Sequence, residues 1–230
     1  MIFGGWQKFS LIDYPGKIAA VVFTQGCPFR CPFCHNPELV NPDQQSFMPI
    51  DKNDVLDFLR QRRGQLEALV VSGGEPTLQP DLLDFLSEVK ALGYAIKLDT
   101  NGGRPEILEK ALARGLVDYL AMDIKSPLKK YKAHTNSEID EEKIRRSVSL
   151  VMNSGCPYEF RTTVVREQLS PEDILQIGKE IAGARRYVLQ KFNPEKTLDA
   201  DFSLATTYTD EEFGEFCQEL KKFVAECLWR

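Results

Sequence analysis

From residue 18 to residue 192 the chain alternates between short apolar runs of strand-like composition and stretches with a helical period. No other feature limits the fold as strongly, because repeated strand–helix units require parallel strands joined by right-handed crossovers. Residues 18–24 (IAAVVFT) are a continuous, β-branched run, the pattern of a strand covered on both faces. Further strands are predicted over 67–72, 94–99, 117–124, 158–165 and 186–192. Helices are predicted over 52–63 behind Asp51, then 80–92, 105–114, 140–153 and 171–182, the last opened by Ser170-Pro171. Gly115 and Gly155 stop two of them. Thr209-Asp210-Glu211-Glu212 is a capping box for a final helix over 210–228. Residues 25–50 hold five prolines and no helical period, so they read as a long irregular loop. Six strands in this length suit an open, incomplete (β/α) barrel better than a closed eightfold one, which takes about 250 residues. A flat doubly wound sheet is the alternative. In either architecture functional groups belong just beyond the carboxyl ends of the strands.

Composition bounds the rest. Forty-three per cent apolar residues can build a core, and neither an internal repeat nor an interdomain linker is visible. The chain therefore reads as a single domain, 1–230, with an N-terminal segment at 1–17, the barrel at 18–192 and a C-terminal loop and helix at 193–230. A net charge of −5 argues against a nucleic-acid partner. No apolar run has the length of a membrane span, and residues 1–17 lack the basic-then-apolar order of a secretion signal. A cytoplasmic protein without a membrane partner is expected.

Six cysteines need an account. Disulfide frameworks belong to small secreted chains that cannot build a core. Here Cys27, Cys31 and Cys34 lie within eight residues, directly after the first strand, whereas Cys156, Cys217 and Cys227 are scattered. The C-x3-C-x2-C spacing lets three thiolates hold three irons of a four-iron cluster, leaving the fourth iron without a protein ligand and open to a substrate molecule. Zinc held by the three cysteines and His35 is the alternative, but structural zinc sites pair two separated ligand couples, and no second couple is present.

This motif, with aromatic Phe33 before its last cysteine, resembles the radical S-adenosylmethionine (SAM) superfamily, whose fold is a partial (β/α)6 barrel. Gly73-Gly74-Glu75-Pro76 after the second strand looks like the family's GGEP motif. The segment Ser10-Leu11-Ile12-Asp13-Tyr14-Pro15-Gly16-Lys17, the run VVFTQGC, and Cys34-His35-Asn36-Pro37 resemble the N-terminal pattern of the glycyl-radical-enzyme activases. Leu98-Asp99-Thr100-Asn101-Gly102 and Met122-Asp123-Ile124-Lys125 resemble their third- and fourth-strand motifs. The branch most resembled is that of the anaerobic ribonucleoside-triphosphate reductase activating proteins. Tyr14 and Lys17 depart from the better-known activases, which carry glycine and arginine there. No cysteine-rich insertion follows the first motif, so a second cluster is not expected.

The resemblance implies a 4Fe-4S cluster on Cys27, Cys31 and Cys34, reduced by flavodoxin or ferredoxin. Reductive cleavage of SAM then gives a 5′-deoxyadenosyl radical, which takes a hydrogen atom from a glycine of a partner enzyme. That partner is anaerobic ribonucleotide reductase, or alternatively a pyruvate formate-lyase type enzyme or another substrate. It also implies SAM contacts: Phe33 on the adenine, Gly73, Gly74 and Glu75 on the ammonium, Asn101 and Lys125 on ribose and carboxylate. Asp99 and Asp123 would hold a monovalent cation near the SAM carboxylate, or merely cap helices. Asp13, Tyr14, Pro15 and Gly16 would contact the partner's peptide. Arg161 sits among apolar neighbours in YEFRTTVV and needs a buried anion, for which a SAM carboxylate would serve better than Glu159. His35 reads as a neighbour of the cluster, His134 as a solvated loop residue. Cys156, Cys217 and Cys227 read as structural, and Lys125, Lys129, Lys130 and Lys132 as a basic loop.

Overall fold

The computed structural model describes residues 1–41 and 50–230, so the part of the proline-rich loop at 42–49 lies outside the described residues. The chain divides into two compact units. Met1–Pro28, Glu38–Thr100 and Arg104–Leu120 form the first. Its β1 (Phe3–Ser10) runs antiparallel to β2 (Ala19–Thr24), while β2, β3 (Ala68–Gly73) and β4 (Ala95–Thr100) are parallel neighbours. Register is flush: Ala19 lies opposite Ala68, and Ala68 opposite Ala95. Three helices supply the crossovers and flank, α1 (Lys52–Gln61), α2 (Leu82–Ala91) and α3 (Pro105–Ala113). Asp51 caps α1 by accepting the Asn53 N–H at 2.7 Å. The i, i+3, i+4, i+7 pattern of α2 buries Leu82, Phe85, Leu86 and Val89.

The second unit comprises Phe29–Pro37, Asn101–Gly103 and Ala121–Arg230. After β5 (Tyr119–Asp123), the chain runs through α4 (Tyr131–Thr135), α5 (Glu141–Met152), β6 (Tyr158–Val164), α6 (Pro171–Glu180), β7 (Tyr187–Lys191), α7 (Asp210–Leu220) and β8 (Cys227–Trp229). The pairs β6–β7 and β7–β8 are parallel. The predicted capping box of Thr209 with Glu212 forms on α7, and the predicted Ser170 cap of α6 proves to be a capping box too, completed by Asp173. Within each unit strand order follows chain order, β1-β2-β3-β4 in the first and β6-β7-β8 in the second. No helix of the described residues is long and apolar enough to cross a membrane.

The six predicted strands and the helices between them are present, with ends shifted by a residue or two. Three departures stand out. The N-terminal segment is a strand, β1, paired through two register shifts that break any simple alternation. The lysine-bearing loop after β5 contains a 3-10 turn at Leu128–Lys130 and then α4. The last helix stops at Leu220 rather than 228. Beyond it, Tyr187 N–H donates to Glu226 O at 2.9 Å and Lys191 N–H to Arg230 O at 2.8 Å, so the chain becomes β8 on the edge of β7.

Tyr14 is a further correction. It is only 5% exposed and packs with Ala19, Val21, Ala68, Val70 and Tyr119, its ring centroid 5.8 Å from that of Tyr119. Ala19, Ala68 and Tyr119 are the first residues of β2, β3 and β5. Tyr14 thus fills the amino-terminal end of these strands and is not available to a partner's peptide. The neighbouring Leu11 and Ile12 are exposed instead. Replacing Tyr14 by alanine should lower unfolding stability by about 3–5 kcal/mol in urea titration, as for other buried aromatics, whereas Ile12→Ala should change it by less than about 0.5 kcal/mol.

Candidate functional site

The turn after β2 leads into the cysteine motif, and the end of β3 is built against it. Gly73 has φ +117°, and a Cβ there would fall 2.2 Å from the Thr24 backbone nitrogen. A Cβ on Gly74 would fall 2.2 Å from Gly26 O and 2.8 Å from Leu39 O. Both residues must be glycine for the two backbones to approach so closely. Gly74 N–H donates to Thr24 O and Glu75 N–H to Gly26 O, each at 2.8 Å. On the other side Gly26 N–H donates to Leu39 O at 2.8 Å and Cys27 N–H to Val40 O at 3.1 Å.

Glu75 is buried, and its Oε1 is occupied by the chain itself. That oxygen accepts from Thr77 N–H at 3.0 Å, from the Thr77 hydroxyl, and from Thr100 Oγ1 at 2.8 Å, capping the 3-10 turn Pro76–Leu78. Asp99, on β4, accepts from Lys97 Nζ at 2.6 Å and from Ser72 Oγ at 3.2 Å. Lys97 is a buried cation that the sequence reading passed over. Its signal was a lysine inside the apolar strand AIKLDT, the same anomaly that marked Arg161.

In the second unit, Arg30 N–H donates to Thr135 O at 2.7 Å and Cys34 N–H to Cys31 O at 3.0 Å, tying the loop of Cys31 and Cys34 to the end of α4. Burial pushes the Cys31 thiol up to about 11, with Lys125 pulling the other way. Phe33 is buried edge-on against His134, ring centroids 5.4 Å apart. His134 is therefore not a solvated loop residue. It is 6% exposed, its Nε2 has no hydrogen-bond partner among the described residues, and burial lowers its pKa to about 4, so it is neutral. Asn101 is buried, its Oδ1 accepting the Gly103 N–H at 2.8 Å.

Arg161 finds its anion in Asp123, not in Glu159, which pairs with Arg230. Asp123 accepts from Arg161 Nε at 2.8 Å through one oxygen and from Lys125 Nζ at 3.0 Å through the other. Burial works to raise the Asp123 carboxyl, but Arg161 and then Lys125 outweigh it and hold the group well below the usual carboxylate range. Lys125, despite burial, is held above the ordinary lysine range by Asp123. Neither Asp99 nor Asp123 caps a helix. Among the described residues no three His, Cys, Asp or Glu side chains gather around a point that one metal ion could fill. A four-iron cluster makes a different demand, one thiolate on each of three irons.

Residues 21–181 match the family model of the radical SAM superfamily. The chain belongs to that superfamily. Over 98% of its length the radical SAM chain is 32% identical to a Methanocaldococcus jannaschii protein named as a glycyl-radical enzyme activating enzyme, covering 94% of that protein. It is 36% identical to the pyruvate formate-lyase-activating enzyme of Listeria monocytogenes over 57% of this chain and 56% of that one. Its fold is similar to that of Streptococcus suis SuiB, crystallised with the precursor peptide SuiA, at a TM-score of 0.67 and 13% identity, over 91% of this chain and 48% of SuiB. The predicted α/β partial barrel is thus the fold of this radical SAM chain.

Two outcomes follow from the geometry of the radical SAM motifs. Gly74→Ala should destabilise the apoprotein by about 1–3 kcal/mol in denaturant unfolding, because the methyl group meets backbone that must move. Asp123→Asn should cost about 1–3 kcal/mol near neutral pH by leaving two partly buried cations short of a charge. A depressed carboxyl stabilises fully above its unfolded pKa of about 3.9 and progressively less below it, so this difference should hold from about pH 5 to 8 and shrink as the pH falls below about 4.

Proposed function

We propose that this chain is an activating enzyme of a glycyl radical enzyme. The reading rests on one observation above all: the Gly73-Gly74-Glu75 segment is hydrogen-bonded, backbone to backbone, to the turn that delivers Cys27. The Thr24–Cys27 turn and the glycine segment, far apart in the chain, are built as one piece of the first unit. On this reading Cys27, Cys31 and Cys34 are the thiolate ligands of a 4Fe-4S cluster, and the remaining iron and SAM together supply a carbon radical able to take a hydrogen atom from a peptide glycine.

The chain's own residues bind and orient. The carbonyls of Gly73 and Gly74 accept from the SAM ammonium, while the Glu75 oxygen engaged by Thr77 and Thr100 holds that segment in place. Arg161 and Lys125 carry the positive charge that a SAM carboxylate requires. Asp123 keeps both cations oriented, and Asp99 does the same for Lys97. A monovalent cation close to Asp99 and Asp123 would supplement charges these side chains already receive. Phe33 offers an apolar face to the adenine, and Asn101 a polar contact to the ribose. The partner read from the sequence is anaerobic ribonucleoside-triphosphate reductase. Pyruvate formate-lyase has equal support from the Listeria relative. Flavodoxin or ferredoxin is the electron donor proposed.

Anaerobic reconstitution with iron and sulfide, followed by dithionite and SAM, should yield 5′-deoxyadenosine that depends on all three additions. A brown, folded sample that forms none, with either partner enzyme present, would overturn the reading. Alanine at Cys27, Cys31 or Cys34 should abolish the iron–sulfur absorbance, whereas Cys156→Ala should keep it. Electron paramagnetic resonance of each partner enzyme after incubation then distinguishes them, since only the true partner acquires a glycyl radical.

A further inference from the structure

Cys217 and Cys227 belong to no part of the proposed chemistry, and the sequence alone marked them as core. The structure brings their Sγ atoms to 2.9 Å, Cys227 donating to Cys217. That is closer than unbonded sulfurs ordinarily rest and within 1 Å of a disulfide length of about 2.04 Å. The contact has a cause in the fold. Cys217 lies on the buried face of α7 with Phe213, Phe216 and Leu220, and Cys227 opens β8 opposite Tyr187 of β7. The turn joining them is held by Gly183 N–H on Phe223 O and Ala225 N–H on Ala184 O, each at 2.9 Å. The two thiols are therefore fixed by the backbone, not by mobile side chains.

We propose that Cys217 and Cys227 are a redox-active dithiol, a modification site for peroxide that closes to an intramolecular disulfide and staples β8 to α7. The two sulfurs are inequivalent. The hydrogen bond from Cys227 lowers the Cys217 pKa against the effect of burial, with help from Lys221, and the same bond raises that of Cys227. Cys217 is the attacking thiolate. Its sulfur takes one peroxide oxygen, the O–O bond breaks and hydroxide leaves, giving a sulfenic acid. Cys227 sulfur, losing its proton, then displaces the hydroxyl from Cys217; the S–S bond forms, the S–O bond breaks, and water leaves. Two thiols and one hydrogen peroxide give one disulfide and two waters. None of this depends on the cluster or on SAM, so it stands or falls apart from the activase reading.

The test is peroxide titration of the whole chain without oxygen, acid quenching, alkylation and tryptic mass mapping. Trypsin separates the two cysteines into peptides 197–221 and 223–230, and isolates half-buried Cys156 in 147–161. The expected product is the linked pair 197–221 and 223–230, formed at lower peroxide than the oxidation of Cys156. Its appearance should raise the unfolding temperature, because a cross-link restricts the unfolded chain; reductant should reverse the rise, and Cys217→Ser should lack it. In Cys227→Ser, Cys217 should accumulate as a sulfenic acid that a 1,3-dione traps. Full alkylation of both cysteines in samples where Cys156 is already oxidised would overturn the proposal. So would a link from either to one of the other four cysteines, or a trapped sulfenic acid at Cys227 rather than Cys217.

Discussion

The contact on which the site depends is made without side chains. Gly73 and Gly74 let the end of β3 lie against the Thr24–Gly26 turn so closely that a single methyl group at either position would overlap main-chain atoms. The backbone N–H groups of Gly74 and Glu75 then donate across that interface. Main-chain hydrogen bonds cannot shift independently of the strands that carry them, so the entry to the cysteine motif inherits the rigidity of β2 and β3. Loops that carry function are positioned by a scaffold in this way. The Glu75 carboxylate adds to the same end by using one oxygen on Thr77 and Thr100.

Buried charge is the second organising feature. Lys97 with Asp99 in the first unit, and Arg161 and Lys125 with Asp123 in the second, are ion pairs with little solvent access. Such pairs cost desolvation that apolar residues of equal volume would not, so they are a poor device for stability alone. They are a good device for holding a cation in a fixed place, which is what an anionic ligand needs. Asp123 shows the arrangement most fully, with one cation on each of its oxygens. An aspartate so held stays ionised well below the pH at which an ordinary carboxylate takes up its proton.

The sequence made much of this legible, for local reasons. The Ser170 cap, the capping box at Thr209, glycine stops, and apolar runs at the strand period are signals that lie within a few residues of what they specify. The cysteine spacing and the glycine pair were equally readable. Tyr14 was misread because its hydrophobic neighbours, Ala68, Val70 and Tyr119, lie more than 50 residues further on, and nothing beside it in the chain announces them. His134 was misread because the lysines around it look like a wet loop, whereas α4 turns its imidazole toward Phe33. Lys97 and Arg161 gave the correct kind of signal, a charge in an apolar strand, but the partner had to come from elsewhere in the fold.

The ends of the chain show the same limit. The helical period of the last segment continues past Leu220 with neither glycine nor proline to stop it, yet the chain leaves the helix there. The edge of β7 offers unpaired backbone groups, and satisfying them as β8 outweighs the few further helical turns that the residues themselves would favour. By itself, then, the sequence determined the order of strands and helices, the cysteine motif and the glycine segment, since each is encoded by neighbours in the chain. Only the tertiary structure decided which buried charge meets which, where Tyr14 goes, and that Cys217 meets Cys227, because those pairings depend on how distant segments fill the space beside one another.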